Sequence, residues 1–354
     1  MFKHYVKVAI RQIKRSFLFS SINMLGFVLG MTAAFLIYLW IVDELTFEDF
    51  NKNGDYIYRV IREEQSAKGQ VPSTVTPLSE VFRKNFSKVE NATFIKYGGK
   101  YDIYAGDVGV EANYGYVDTT FFDVFSFPVV AGDPSLLKKD PQMVVLSEAI
   151  AEKLFGKTSA IGKEVTCKFN KKYYKVAAVL KVPRKSHIQF EVLASWDSYL
   201  WDEIKDELWG FSERMHVFIQ LKKGTSLTDA DRLAMRDLWV KHSQWGKPLA
   251  FQPLKDIHLR TAFKEPNDVY NHGNMQQIYL FAALAALIIF MGAFNFMTLS
   301  TARASQRSKE IGVRKVTGAK RKKLIMQFLS ESLVQAFISL LLALALTELL
   351  LPFF

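Results

Sequence analysis

The strongest constraint in this sequence is an uncharged run near its N-terminus. Residues Ser16 to Val42 contain no Asp, Glu, Lys or Arg. About 20 consecutive apolar residues are enough to cross a bilayer as a helix. The run is longer than the apolar core of a secretory signal peptide, and it leads directly into Asp43 and Glu44 without a small-residue cleavage site. It therefore predicts an uncleaved membrane-spanning helix over residues 16–42.

Two further apolar runs lie towards the C-terminus. Ile278–Leu299 belongs to an uncharged stretch that ends at Arg303, and it predicts a second span over 278–302. Leu333–Thr347 lies between two glutamates and continues into further leucines, which predicts a third span over 329–354. The alternative for each run is a buried helix in the core of a soluble protein.

The excess of basic over acidic residues is confined to two short segments. The chain has 46 Lys and Arg against 35 Asp and Glu, a formal net charge of +11. The excess lies in residues 1–15 and 303–323, and residues 16–302 are balanced. A nucleic-acid-binding domain carries such charge over a folded face, so we expect no nucleic-acid partner.

The same two segments predict the orientation in the membrane. Loops rich in Lys and Arg stay on the cytoplasmic side. We therefore expect a multi-pass protein of the cell inner (plasma) membrane with a cytoplasmic N-terminus. Residues 43–277 are expected outside the cytoplasm, and 303–328 within it.

Residues 1–15 show an amphipathic pattern. Phe2, Tyr5, Ala9 and Ile13 recur at helical spacing, with basic residues between them. This pattern is typical of a helix that lies on the inner membrane surface, with lipid as its partner. The alternative is a plain cytoplasmic extension of the first helix.

Small and polar residues within the spans predict helix packing. Gly26 and Gly30 form a GxxxG pattern that Ala34 extends, and small residues at this spacing let another helix approach closely. Asn23 and Asn295 are polar groups in or near the membrane, which favours positions facing protein. For Asn23, a position at the membrane surface is the alternative.

The segment 43–277 reads as an α+β domain without an internal repeat. Helices are expected over Ser147–Phe155, capped by Ser147, and over Thr228–His242, capped by Thr228 or Asp229, with Leu233, Leu238 and Val240 as its apolar residues. Runs rich in β-branched and aromatic residues predict strands at Tyr56–Ile61, Gln142–Leu146, Tyr173–Val182, Ile188–Leu193 and His216–Leu221.

No pattern in the chain indicates catalysis, a metal or a cofactor. Gly156-Lys157-Thr158 resembles the end of a phosphate-binding loop, but Ala151 stands where that loop needs glycine. The six histidines form no HxH or HExxH pattern, and no GxSxG occurs. The single cysteine, Cys167, excludes an internal disulfide. We expect no enzymatic activity in this chain.

Several stretches together resemble the MacB-like, FtsX-type permease family of ABC transporters, in a style similar to the tandem permeases of Bacteroidetes. One group matches the family's second helix, cytoplasmic loop and third helix: Thr298–Arg307, Glu310–Ala319 and Gln327–Ser332. Another matches its opening: Ala9–Arg11, Asn23–Gly26, Asp43–Leu45 and Ile57–Arg59. A third matches its periplasmic core domain: Phe121–Phe127, Val145–Glu148, Ile161–Lys163 and Asp256–Leu259.

The resemblance implies a mechanism and a set of coupling residues. In the family, a separate ABC ATPase dimer pushes on the loop between the second and third helices, and the helices transmit the motion to the external domain. The residues expected to couple to the ATPase are Arg307, Lys309, Glu310, Gly312, Arg314, Lys315, Gly318 and Ala319. From the residues alone, the same basic charges are equally explained by orientation in the membrane.

The family pattern has four helices in each unit, whereas three are predicted here. The resemblance therefore implies a fragment of a longer permease. It also implies a dimer or pairing with a second permease half, and a periplasmic adaptor as a further partner.

Other functions fit the same pattern. An FtsX-like signalling module would regulate an extracytoplasmic enzyme such as a cell-wall hydrolase. A membrane-anchored sensor would need no ATPase, although the 310–319 pattern argues against it. A membrane-bound enzyme is the remaining alternative.

Overall fold

The computed structural model describes residues 11, 17–64, 69–199, 215–242, 248–261, 272–306, 312–313, 316–317 and 321–353. The chain forms two compact units. One is helical and combines both ends of the chain, Met1–Leu45 and Met275–Phe354, and the other is Thr46–Asn274. The second unit thus lies three residues inside the predicted 43–277 domain at each end.

The helices are α1 Phe17–Leu45, α2 Pro77–Asn85, α3 Phe121–Val124, α4 Glu148–Phe155, α5 Trp196–Tyr199, α6 Asp229–His242, α7 Asp256–Arg260, α8 Met275–Gln306 and α9 Arg321–Leu350. The strands are β1 Ile57–Glu64, β2 Gly69–Val71, β3 Val89–Ala105, β4 Val108–Val117, β5 Val129–Gly132, β6 Met143–Ser147, β7 Glu164–Cys167, β8 Lys172–Leu180, β9 Val192–Ser195, β10 Met215–Leu221 and β11 Leu249–Pro253.

In the helical unit, α1, α8 and α9 are each long and apolar enough to cross a membrane. Helix α1 packs against both other helices. On one side Trp40 meets Phe281 of α8, with ring centroids 4.9 Å apart, and on the other the Thr32 hydroxyl donates to the Ala343 carbonyl of α9 at 3.4 Å. Because lipid surrounds such helices, their outward side chains are apolar.

Helices α8 and α9 extend further than the apolar runs predicted. Helix α8 continues to Gln306, and α9 begins at Arg321, so both enter the segment 303–328 that was predicted as a loop. The apolar runs end where charge begins, but Arg and Lys are good helix formers. Helical hydrogen bonding therefore continues past the apolar boundary.

The second unit is built on one mixed sheet. Its strand order is β11-β1-β10-β3-β4-β9-β6-β8-β5, with β2 beside β1, and β7 beside β3 and β8. The β4–β9 and β6–β8 pairs are parallel, and the other pairs are antiparallel. Helices cover a largely antiparallel sheet without a regular βαβ alternation, which confirms the predicted α+β class.

Both faces of this sheet are buried. Neighbouring residues of a strand point to opposite faces. On β10, Val217 and Ile219 join one buried cluster with Phe82 and Trp239, whereas Phe218 joins the other with Phe125. Since each face has its own core, β10 and its neighbours are fixed between two packed layers.

Four predicted strands are confirmed with shifts of a few residues, and they correspond to β1, β6, β8 and β10. The strand predicted at Ile188–Leu193 is wrong over its first four residues, because β9 begins at Val192. Ile188 and Phe190 are nevertheless buried. The Gln189 side-chain amide, however, donates to the carbonyls of Pro183 and Ser186, which holds this segment as a loop.

Both predicted helices of this unit form. The Ser147 hydroxyl accepts from the Ile150 amide at the start of α4, as predicted. In α6, Thr228 is the cap, because its hydroxyl accepts from the Asp231 amide and the Asp231 carboxylate accepts from the Thr228 amide. The apolar side of α6 differs from the prediction. Met235 and Trp239 are buried, whereas Leu233 and Val240 are exposed.

Candidate functional site

The glycines of α1 lie against α8. A Cβ atom added to Gly26 would lie 3.3 Å from Nδ2 of Asn295, and one added to Gly30 would lie 3.7 Å from the side chain of Ile288. Ala34, the third small residue, is buried. The structure therefore brings all four predicted packing residues into the helical unit, and it brings Gly26 and Asn295 together directly.

Asn23 and Asn295 have different surroundings. Asn23 is buried, and its Oδ1 atom has no hydrogen-bond partner among the described residues. Asn295 touches α1 on one side and is exposed on the other, where it shares a shallow groove with Phe290, Phe294 and Thr298. The surface alternative for Asn23 does not fit its burial within the helical unit.

Helix α9 carries a polar stripe that the sequence analysis missed. Its members recur every four residues and, apart from one alanine, are polar and buried: Glu331, Gln335, Ser339, Ala343 and Thr347. Residues four apart lie on one face of a helix. The stripe meets α1, which adds its own buried polar residues Ser20 and Thr32. In the sequence, this stripe could have been recognised from the four-residue spacing of polar residues within an apolar run.

Polar residues between membrane helices favour protein-facing positions and bond across the interface. Within the stripe, the Gln327 amide donates to the Glu331 carboxylate at 3.1 Å, and the Thr347 hydroxyl donates to the Ala343 carbonyl at 2.7 Å. The Ser339 hydroxyl has no partner among the described residues. Both of these bonds lie within α9, whereas the bond from Thr32 of α1 to the Ala343 carbonyl crosses the contact between the two helices.

Most of the predicted coupling residues lie outside the described residues: Arg307, Lys309, Glu310, Arg314, Lys315, Gly318 and Ala319. Gly312 is described and helical, and the space around it is open. Beside it Val313 and Val316 are exposed, Val316 at 90%. The Thr317 amide donates to the Val313 carbonyl at 3.0 Å, which is a helical hydrogen bond between residues four apart.

The segment that directly follows α1, here called the lead-in segment (residues 46–55), contains a buried carboxylate. Both Glu48 and its partner His187 have side chains at most 2% exposed. Imidazole Nδ1 of His187 lies 2.7 Å from Glu48 Oε1, and the His187 amide donates to the same oxygen. The Asn51 side-chain amide donates to Oε2 at 2.7 Å. Nearby, the Nζ atom of Lys185 donates to the Thr46 hydroxyl at 2.9 Å.

Among the described residues, no group of three or more His, Cys, Asp or Glu side chains could hold a metal ion. Cys167 is a buried free thiol. Its neighbour Tyr114 is buried too, and burial raises the pKa of that phenol far above its ordinary value. Both groups lie in the apolar core of the sheet and serve packing.

Two family models together match nearly the whole chain. A MacB-like periplasmic core domain matches residues 20–235, which is more than half of the chain. An FtsX-like permease C-terminal region matches residues 282–354. The chain belongs to the MacB-like, FtsX-type family of ABC transporter permeases. The described fold, with three membrane-length helices and an α+β domain of the periplasmic type, is that of a membrane protein with an extracytoplasmic domain.

Several relatives of this permease are macrolide export ATP-binding/permease proteins named MacB. The protein from Neisseria gonorrhoeae is 23% identical over 221 residues, which are 62% of this chain and 32% of the relative. The protein from Yersinia pestis is 26% identical over 244 residues, 67% of this chain and 35% of the relative. The chain thus spans about one third of the length of these curated relatives.

A solved structure shares the fold of the extracytoplasmic unit. It is a domain of a permease protein from Porphyromonas gingivalis, with a TM-score of 0.51 and 18% sequence identity. The match covers 61% of this chain and 97% of that domain. At this level of identity the likeness extends to the fold alone.

Proposed function

We propose that this permease is the membrane subunit of an ABC-type exporter or mechanotransmission complex whose ATPase is a separate chain. The observation that carries the proposal is the FtsX-like match over 282–354, which includes α9 and the segment between α8 and α9. In this proposal the ATPase contacts that segment from the cytoplasm. Helices α8 and α9, which flank the segment, then carry the motion of the ATPase towards the extracytoplasmic unit.

The chemistry of the 307–320 segment supports a docking role. Its sequence is strongly basic, and the described part adds the exposed side chains of Val313 and Val316. Solvent-exposed apolar groups beside charges are a common composition for a protein contact, because charge guides association and apolar burial stabilises it. Membrane orientation explains the basic residues but not the two exposed valines.

The orientation is part of the proposal. The Lys and Arg bias places the N-terminus and the 307–320 segment in the cytoplasm. Single cysteines introduced at Asp107 and at Ser308 can be compared for labelling by a membrane-impermeant thiol reagent in intact cells. Cys167 is buried and does not interfere. We expect labelling at position 107 and none at 308 until the membrane is opened. The reverse pattern would overturn the orientation.

Co-purification tests the ATPase. The tagged chain is extracted gently from its native membrane, and its partners are identified. We expect an ABC ATPase with the unchanged chain, and its loss with Glu310, Arg314 and Lys315 all changed to Ala. Val316→Asp should have the same effect, whereas Val108→Asp, at an exposed valine of the extracytoplasmic unit, should not. An unchanged chain without an ATPase would overturn the proposal.

A permease subunit of this kind would have further partners besides the ATPase. We propose that residues 1–15 contact lipid, and that a second copy or a second permease half completes the membrane unit. We also propose that a periplasmic adaptor docks on the external unit. Crosslinking in the native membrane identifies them. Stimulation of the ATPase by an exported compound would support export, whereas a cell-wall hydrolase bound to the external unit would support the signalling alternative.

A further inference from the structure

The lead-in segment adopts a conformation that costs free energy. Glu48 has a φ angle of 66°, in the left-handed region that residues other than glycine rarely occupy. Its carboxylate is also buried, which is unfavourable for a charge unless partners compensate. Two unfavourable features at one residue imply that the surrounding contacts hold Glu48 in place.

Those contacts hold both oxygens of the carboxylate. Oε1 accepts from the backbone amide and the ring Nδ1 of His187, and Oε2 accepts from the side-chain amide of Asn51. The Glu48 amide donates in turn to the Lys185 carbonyl at 2.8 Å. Since a carboxylate only accepts, the bonded tautomer of His187 carries its hydrogen on Nδ1. Glu48 and His187 are 139 positions apart in the chain.

His187 leads from this carboxylate into the core. Its ring lies 5.4 Å from the ring of Phe218 on β10 and 6.4 Å from that of Phe125, between centroids. Phe218 is fully buried on a strand flanked by β1 and β3. The carboxylate of Glu48 is therefore one side chain away from the centre of the sheet.

Two other segments of the same unit hold the lead-in segment. The Ser126 amide donates to Oδ1 of Asn51 at 2.9 Å. The ring of Phe47 stacks on that of His258 in α7, with centroids 3.7 Å apart. The Lys255 ammonium bridges Asp49 at 3.0 Å and Asp55 at 2.9 Å. These exposed ion pairs contribute little by themselves, so the buried Glu48 contact is the main candidate for holding the segment.

Helix α1 ends at Leu45, so only Thr46 and Phe47 separate its end from Glu48. We propose that Glu48 and His187 form a latch that fixes the lead-in segment to the sheet, so that displacement of α1 is passed to the extracytoplasmic unit and is not absorbed by a loose connection. This assignment rests on the proposed function, because it names the residues through which that function would act.

The test uses the full chain in nanodiscs, as purified with its partner ATPase. Glu48→Gly removes the carboxylate and suits the φ angle, so it opens the latch without adding backbone strain. Lys84→Ala, which breaks an exposed ion pair on α2, is the matched control. The first measurement is hydrogen exchange at the amides of residues 46–55 and 185–188. We expect the variant to exchange there about 10-fold to 100-fold faster, the range that corresponds to losing hydrogen bonds to a charged group.

The second measurement is the response of the external unit to ATP. A fluorophore on Asp107→Cys, at the exposed turn between β3 and β4, reports movement, while Cys167 is buried. We expect Glu48→Gly to keep its ATPase and the rate of ATP hydrolysis but to lose most of the fluorescence change. Lys84→Ala should keep both. Unchanged exchange, or a full fluorescence response in the variant, overturns the latch.

Two safeguards keep the outcomes separate. Loss of protection throughout the sheet in Glu48→Gly would show that this variant fails to fold. His187→Ala then serves as the second variant, because it removes the ring that bonds Oε1 of Glu48 and leaves the backbone at Glu48 unchanged, and a full response in His187→Ala overturns the latch. His187→Asn, which retains a side-chain N–H donor, should restore part of the protection that His187→Ala loses. An unchanged chain without an ATPase would overturn the proposed function instead, and the exchange measurement then decides the latch alone.

Discussion

The side chain of Asn295 on α8 approaches Gly26 on α1 so closely that a Cβ atom at position 26 would lie 3.3 Å from the amide nitrogen. The corresponding space at Gly30 is wider, at 3.7 Å. We expect Gly26→Leu to weaken the helical unit by about 1–3 kcal/mol through overpacking. Gly30→Ala should change it by less than about 1 kcal/mol, because an added methyl group would be in ordinary contact.

Unfolding in mixtures of mild and denaturing detergent measures both variants. Gly292→Ala, whose added Cβ would lie 3.4 Å from the Phe27 ring, provides a value between them. Equal stability of Gly26→Leu and the unchanged chain would show that the α1–α8 contact does not depend on the small residue at position 26.

The start of helix α6 should be sensitive to low pH. The Lys88 ammonium, 2.6 Å from the carboxylate, and the Thr228 hydroxyl lower the pKa of Asp231 to about 2. Since this pKa is below that of the unfolded chain, Asp231 contributes stability above about pH 4, and the contribution is lost as the pH falls towards 2. We expect Asp231→Asn to lower stability at pH 7 by about 1 kcal/mol, as for a lost helix cap.

Denaturant titrations from pH 2 to pH 7 measure this effect. The gap between Asp231→Asn and the unchanged chain should close at the acidic end. Asp229→Asn, on the same turn of α6, is the matched variant. A gap that persists at pH 2 would contradict the assigned role of the carboxylate.

Glycine is required at position 132 because the neighbouring strand is in the way. Gly132 has a φ angle of 79°, and a Cβ atom there would lie 2.2 Å from the Ala177 carbonyl oxygen of β8. Backbone cannot swing aside as a flexible side chain can. We therefore expect Gly132→Ala to lower the free energy of unfolding by about 3 kcal/mol, at the upper end of typical overpacking costs.

Gly162 separates the cost of the left-handed backbone from the cost of the close approach to β8. Its φ angle of 76° is almost the same, but no atom lies within 4 Å of an added Cβ. Gly162→Ala should therefore show only the cost of the left-handed backbone, about 1–2 kcal/mol. Chemical denaturation of the two variants measures the difference. Equal losses would mean that the close approach to β8 is relieved elsewhere.

Asp118 should affect the pH dependence of stability in the opposite direction to Asp231. Burial raises the pKa of Asp118 to about 6, although hydrogen bonds from Thr93 and Thr120 favour its ionised form. Between about pH 4 and pH 6 the folded chain holds a proton that the unfolded chain has released. Stability should therefore fall as the pH rises through this window and level off above it.

Asp118→Asn removes the titration while keeping an acceptor for the threonines. Its stability relative to the unchanged chain should rise from pH 4 to pH 6.5 when both are measured by denaturant titration. Asp107→Asn, at an exposed turn, is the control. A constant difference across this range would show that Asp118 does not titrate there.

Local chemistry made part of this fold predictable. The Ser147 cap and the strands around Val145 and Phe218 follow from side-chain patterns within ten residues, and the structure confirms them. The β3–β4 hairpin was missed, although Gly106-Asp107 is a turn signal, with Gly106 at a φ angle of 60°. Its long strands lack strict alternation because parts of them are covered on both faces.

Long-range partners could not be predicted. Glu48 and His187 are both ordinary polar residues in the sequence, and nothing near either one signals the other. The polar stripe on α9 was readable from its spacing, but its burial depends on contact with α1. Ile188 is a further example, because it was predicted to lie in a strand but is buried in a loop. In each case a distant segment decides what the local pattern means.

Among the described residues of the extracytoplasmic unit, the first and last strands along the chain are neighbours in the sheet. Strand β1 pairs antiparallel with β11, and Tyr58 lies opposite Pro253. The chain therefore begins and closes this unit at one edge of the sheet. With this arrangement, the residues between the two strands could be enlarged or replaced during evolution while the sequence of the membrane helices stays the same.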